Sequence, residues 1–279
     1  MELKGRQRFG VNIGAETTER RHVEVPWEGH SSVVRSAAMK TPSILRYDLP
    51  VPLNAVPPYL PTYEFPGEFI NDQHRSYSTC PAMEHLIDLG IDGWLRREDA
   101  LKLYELAYFA PGPILEIGSY HGLSTSILAR AVADSGAEGS ARRIVSVELD
   151  AAAQAVARGH LERLGLAGNV TFAESDAAAY CVQAAAAGER FAFAFIDHDH
   201  AYASVLPVCR ALPELTLPGA FCLFHDWLDA RNFQPEEADY GVFGATRDGL
   251  DPAELEFYGV FGVAGLYRRV AAGADAEER

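Results

Sequence analysis

From residue 79 onward the apolar positions follow two alternating rhythms. Asp99–Phe109 carries them at helical spacing, and so do Ser124–Ala133, Ala151–Leu164, Ala177–Ala187 and Ala203–Leu212. Between these segments lie short apolar runs: Pro113–Gly118, Arg143–Glu148, Asn169–Ala173, Phe191–Asp197 and Ala220–Asp226. The fourth run, Phe-Ala-Phe-Ala-Phe-Ile, is apolar on both faces, as a strand covered by helices on two sides requires. Tyr258–Arg268, punctuated by Gly259, Gly262 and Gly265, reads as a closing hairpin. Strands alternating with helices predict a doubly wound, mostly parallel α/β sheet, here with an antiparallel edge hairpin. Ligands of such sheets bind at the carboxyl ends of the strands, near the point where strand order reverses.

Residues 1–78 have no such rhythm. Pro50, Pro52, Pro57, Pro58, Pro61 and Pro66 interleave with Tyr47, Tyr59, Tyr63 and Phe65, which disfavours both helix and central strand. The aromatics predict an irregular N-terminal arm that packs on something: the main domain, a dimer partner, or the substrate as a lid. The main domain then spans 79–271, and 272–279 forms a polar tail.

A formal net charge of −15 excludes nucleic acid as the main partner, because phosphate binding depends on Lys and Arg. It leaves room for a small neutral or cationic acceptor. No apolar run approaches the roughly 20 residues that cross a bilayer, and no apolar stretch follows the basic N-terminal residues. Cys80, Cys181, Cys209 and Cys222 are scattered, and three of them fall in predicted helices or strands. A reduced, cytoplasmic setting away from membranes is expected.

The first strand runs into Glu116-Ile-Gly118-Ser119-Tyr120-His121-Gly122-Leu-Ser124. Glycines at a strand-to-helix turn let a ligand approach the backbone. The spacing is not G-x-G-x-x-G, and no phosphate-loop lysine is present, so a nicotinamide-dependent oxidoreductase is only the alternative. Glu148 ends the second strand, where a ribose diol needs an acceptor. Asp176 follows the third strand, placed to receive an exocyclic amine, and Asp197 ends the fourth. Each acid alone would serve as a helix cap. As an ordered set they outline a nucleoside-shaped site, catalytic or purely binding.

On these residues, 79–270 resembles the class I S-adenosylmethionine-dependent methyltransferases, whose sheet is Rossmann-like. Gly118-Ser-Tyr-His-Gly-Leu-Ser124 is similar to a loop of catechol O-methyltransferase. Gly93-Trp-Leu, Glu116-Ile-Gly-Ser-Tyr and His225-Asp-Trp resemble a bacterial group of antibiotic and sugar O-methyltransferases. The resemblance implies that Glu148 holds the ribose and Asp176 the adenine edge, with His198 packed nearby. Ser119, Tyr120 and Ser124 would line the methionine end, and Glu116, Gly118 and Gly122 would complete the loop. The implied reaction is methyl transfer to a hydroxyl of a small molecule in natural-product biosynthesis, with nitrogen or carbon acceptors as the alternative.

A second constellation, Asp197-His198-Asp199-His200, faces His225-Asp226 across adjacent strand ends. In metal-dependent relatives these positions hold a divalent cation that orients the acceptor, which implies Asp197, His225 and Asp226 as ligands. His225 stands where the catechol enzymes have Asp, and Asp226 where they have Asn. Either the imidazole shifts preference from Mg²⁺ toward transition metals, or no metal binds. His200 is the candidate base, since an imidazole titrates near neutrality, and Asp199 is its rival. Trp227, Phe233 and Tyr240 either wall the substrate or belong to the core.

Overall fold

The computed structural model describes residues 86–136, 142–237 and 239–270. The arm, the first residues assigned to the main domain and the polar tail lie outside the described residues. The fold opens with helix α1 (Arg97–Phe109), then alternates β1 (Ile114–Ile117), α2 (Leu123–Asp134), β2 (Ile144–Glu148) and α3 (Ala151–Arg163). It continues with β3 (Val170–Glu174), α4 (Ala177–Ala186), β4 (Phe191–Ile196), α5 (Tyr202–Leu215) and β5 (Thr216–Phe224). Helix α6 (Val242–Gly249) and the hairpin β6 (Leu255–Phe261) and β7 (Ala264–Arg269) close it.

The seven strands form one sheet in the order β3-β2-β1-β4-β5-β7-β6. Strands β1 to β5 are parallel, and β7 runs antiparallel to both β5 and β6. This is the Rossmann-like, mostly parallel arrangement expected, but the hairpin inserts its second strand rather than ending the sheet in sequence order. The order reverses between β1 and β4, whose ends lie side by side at the centre of the sheet. Both strands are buried along their whole length. That central reversal is where the carboxyl ends of neighbouring strands diverge and leave a crevice.

The largest boundary differences from the sequence pattern lie in α5, β5 and the hairpin. Helix α5 starts one residue early and runs on to Leu215, through Pro207 and Pro213. Strand β5 begins at Thr216 rather than at 220. Its pairing passes from Phe191↔Thr216 to Phe193↔Phe221, so the Leu-Pro-Gly segment bulges from the ladder. Pro218 offers no N–H to the ladder, and Gly219 adopts φ +82, which explains why the alternation starts only beyond it. The hairpin begins at Leu255, three residues early, because its first residues pair with Arg268 and Arg269.

The core on one side of the sheet joins Phe191, Ala194 and Ile196 to Val205, Val208 and Leu212 of α5 and to Trp227, Phe257 and Tyr267. Trp227 is 1% exposed, its ring lies on Gly265, and its Nε1 donates to Thr246 Oγ1 at 2.9 Å and to the Tyr267 hydroxyl oxygen at 3.1 Å. It belongs to the core and not to a substrate wall. Cys181, Cys209 and Cys222 are buried free thiols. No helix among the described residues is long and apolar enough to cross a membrane.

Candidate active site

A cleft of about 760 Å³ opens at the carboxyl ends of β1, β2, β4 and β5. Gly118, Ser119, Tyr120 and Ser124 line it from the β1–α2 turn, Glu148 from the end of β2 and Asp176 from the start of α4. Asp197, His198, Asp199 and His200 enter from beyond β4, and His225 and Asp226 from beyond β5. Of the cofactor, catalytic and metal positions named from sequence, Glu116 and Gly122 do not line it.

Glu116 sits beneath the turn, fully buried, where Ser124 Oγ, Thr125 Oγ1 and Ser146 Oγ donate to it at 2.6, 2.7 and 2.7 Å. Burial pushes its carboxyl up to about 7, against the pull of these three hydroxyls. Its contacts make it a clamp that ties β1 to α2 and β2. The two glycines serve the chain's own packing. A Cβ on Gly118, at φ +93, would run into the Asp197 carbonyl and lie 2.7 Å from His198 Cα. A Cβ on Gly122, at φ +91, would press on Ala157 of α3. The turn therefore needs glycine to sit against β4 and α3, whereas the sequence suggested close approach of a ligand.

Glu148 accepts from Tyr120 N and Leu149 N at 2.8 Å each and from Asp150 N at 3.0 Å. A carboxylate has about four acceptor sites, so roughly one remains for a ligand. Tyr120 is held at φ +44 by the first of these bonds, and its ring, 43% exposed, stacks with Trp94. Ser119 is buried, and its Oγ has no hydrogen-bond partner among the described residues. Asp176 caps α4 through Ala179 N at 2.9 Å while also lining the cleft, so the capping and ligand readings coexist at one side chain. His198 sits with Nε2 3.3 Å from the Ser204 carbonyl, and burial lowers its pKa.

The second constellation converges. Asp197 Oδ1 lies 3.1 Å from His225 Nδ1 and 3.4 Å from His200 Nε2. Asp226 closes the ring, with Oδ1 3.4 Å from His225 Nδ1 and Oδ2 3.5 Å from His200 Nε2. Burial alone would raise the Asp197 carboxyl, but His225 and His200 outweigh it and hold the group at about 2. Burial would likewise lower His225, but Asp197, Asp99 and Asp226 hold it well above the ordinary imidazole value. Asp199 is engaged elsewhere: it accepts from Ala201 N at 3.0 Å, just before α5, and from Ser204 Oγ at 2.7 Å. These bonds lower its pKa, and a carboxylate so engaged is a weak proton acceptor.

Side chains of two segments, α1 and residues 229–240, carry this geometry in ways not evident from sequence. Tyr240 does not wall the cleft; its ring stacks behind His200 at 5.1 Å, and its hydroxyl donates to Asp226 Oδ2 at 2.6 Å. Arg231 covers the other face of Tyr240 at 4.2 Å and pairs with Asp229. Asp99 of α1 reaches His225 from behind, 3.7 Å from its Nε2. The spacing in sequence offers no signal for either, since α1 and the 229–240 segment meet the site only through folding. Phe233 is 54% exposed and rests on Phe243, away from the cleft.

Residues 115–227 match the family model of a methyltransferase domain. A search of curated proteins gives no match. Among solved structures, an O-methyltransferase from Bacillus cereus in complex with SAH is 20% identical, with 71% of this chain and 96% of that one covered at a TM-score of 0.55. A candidate O-methyltransferase from Klebsiella pneumoniae is 21% identical over 72% and 96% of the two chains, at a TM-score of 0.54. SAH-bound methyltransferase PaMTH1 of Podospora anserina is 17% identical over 63% and 80%, at 0.50. At these identities the likeness is one of fold.

Proposed function

We propose that this chain is a class I S-adenosylmethionine-dependent methyltransferase that methylates a hydroxyl of a small molecule, a reading supported by the methyltransferase-domain match over residues 115–227. The observation that carries the proposal is the convergence of Asp197, His200, His225 and Asp226 in the same cleft as Glu148 and Asp176. Proton-accepting and cation-holding groups there lie beside a nucleoside-shaped end. The cleft suits the cofactor: its volume falls in the range of small-molecule sites, Glu148 keeps an acceptor site, and the buried Ser119 hydroxyl lacks a partner among the described residues. Glu148 would hold the ribose hydroxyls, Asp176 the adenine amine, and Ser119 and Tyr120 the amino-acid end. S-adenosylmethionine supplies an electrophilic methyl group. The chain's own part is to align the acceptor oxygen with it and to remove the hydroxyl proton.

His200 is assigned as proton acceptor, because Tyr240 stacks on its ring and the two carboxylates beside Nε2 stabilise the cation formed when the ring takes a proton. A divalent cation fits between Asp197, His225 and Asp226, since these groups offer two carboxylates and an imidazole at short range. A bound cation would lower the pKa of the acceptor hydroxyl. An imidazole in the set favours later transition ions over Mg²⁺. One observation favours a second reading of His200: its Nε2 belongs, with Asp197 and His225, to a group whose ligand atoms lie within 4.8 Å of one another. In that reading His200 is a third ligand and the metal alone acidifies the hydroxyl.

The acceptor is sought among hydroxylated natural-product scaffolds, and the resemblance to antibiotic and sugar O-methyltransferases supports that choice. The test supplies methyl-labelled S-adenosylmethionine with a panel of phenols, sugars, amines and activated carbon acids, in chelated protein and after addition of single metals. Label on oxygen is the expected result. Label found solely on nitrogen or carbon overturns the acceptor assignment. Full turnover in chelated protein removes the metal and leaves His200 acting alone.

A further inference from the structure

His225 is 5% exposed, and its two ring nitrogens face different neighbours. Nδ1 looks into the cleft at Asp197 and Asp226. Nε2 is buried without a hydrogen-bond partner among the described residues, and the carboxylate that faces it, at 3.7 Å, is Asp99 Oδ2. Asp99 is 1% exposed and firmly held. Its Oδ1 accepts from Val263 N at 3.0 Å in the β6–β7 turn, and its Oδ2 accepts from Arg96 N at 3.3 Å at the start of α1.

We infer that Asp99 is a positioning residue that selects which nitrogen of His225 binds a cation. The inference rests on the metal reading of Proposed function and adds to it a residue from outside the cleft. A neutral imidazole has one N–H and one lone pair. With a cation between Asp197 and Asp226 the lone pair must fall on Nδ1, and the buried carboxylate of Asp99 opposite Nε2 favours the N–H there. Metal-bound histidines are commonly oriented in this way by a carboxylate behind them. The alternative tautomer would place the lone pair against Asp99 and an N–H where a cation must sit. Asp99 reaches this position because it joins the N-terminus of α1 to the hairpin turn, so its carboxylate cannot swing away without breaking both bonds.

Asp99→Asn separates this role from a structural one. The Asn carbonyl can still accept from Val263 N, which turns the amide NH₂ toward His225 Nε2 and gives up the bond from Arg96 N. An N–H donor there draws the lone pair onto Nε2 and removes it from the cation side. The probe is Co²⁺ alone, titrated into the full chain and followed by calorimetry and visible absorption. Expected are binding to wild type, loss in His225→Ala, and affinity lowered about 10–100-fold in Asp99→Asn with an altered visible band. Wild-type affinity and spectrum in folded Asp99→Asn, with binding still lost in His225→Ala, overturn the inference and leave the metal reading standing. No Co²⁺ binding to wild type overturns both. Should Asp99→Asn not fold, a crystal structure of wild type with Co²⁺ decides: Nδ1 ligation with Nε2 on Asp99 supports the inference, and Nε2 ligation overturns it.

Discussion

Glu116→Gln should change how stability depends on pH, and the size follows from its burial. The carboxyl is fully buried and receives three hydroxyl hydrogen bonds, yet burial dominates and lifts it from 4.5 to about 7. The folded state thus binds this proton more tightly than the unfolded chain. Between the two values it carries more protons, so stability falls as pH rises through that window. The gap corresponds to roughly 3 kcal/mol of stability, present below the unfolded value and lost by the time pH passes the folded one. Glutamine is neutral throughout and close in shape, and the hydroxyls can rotate to accept from its amide. The variant should therefore gain on wild type by roughly 3 kcal/mol between about pH 5 and about pH 8, whatever their offset at acid pH. The assay is reversible denaturant unfolding of both proteins across that range, with the difference plotted against pH. Subtraction cancels His225, whose raised pKa contributes stability in both proteins that fades as pH rises through its folded value. Asp197 contributes above its unfolded value and loses that contribution only as pH falls toward about 2, outside the window. A flat difference would refute the reasoning, because it would mean Glu116 keeps one charge state from end to end.

Two further outcomes test the turn and the cofactor end. Gly118→Ala places a Cβ against the Asp197 backbone at a left-handed φ, so unfolding free energy should drop by about 2–4 kcal/mol; thermal and denaturant unfolding that match wild type would show that the β1 and β4 ends are not packed this tightly. Glu148→Gln removes part of the acceptor capacity beyond β2 and should weaken S-adenosylmethionine by about 1–3 kcal/mol in calorimetry. An unchanged Kd places the ribose elsewhere.

The strand and helix pattern was legible because burial imposes period. Phe191–Ile196 is apolar at every position since helices cover the sheet on both sides, and that local rule needs no knowledge of neighbours. The acids at strand ends were legible for a similar reason: Glu148, Asp176 and Asp197 follow directly from where their strands stop. Folding decided matters of direction and company. Gly118 and Gly122 look alike in sequence as ligand-approach glycines, but their missing Cβ atoms make room for Asp197 and Ala157. Tyr240 reads as either substrate wall or core until the chain returns to stack it on His200. Asp99 reads as an ordinary helix-start acid, because the groups it meets, Val263 and His225, lie more than a hundred residues away along the chain. A side chain's period is written in its neighbours in sequence. Its partner depends on which distant backbone the sheet order brings beside it.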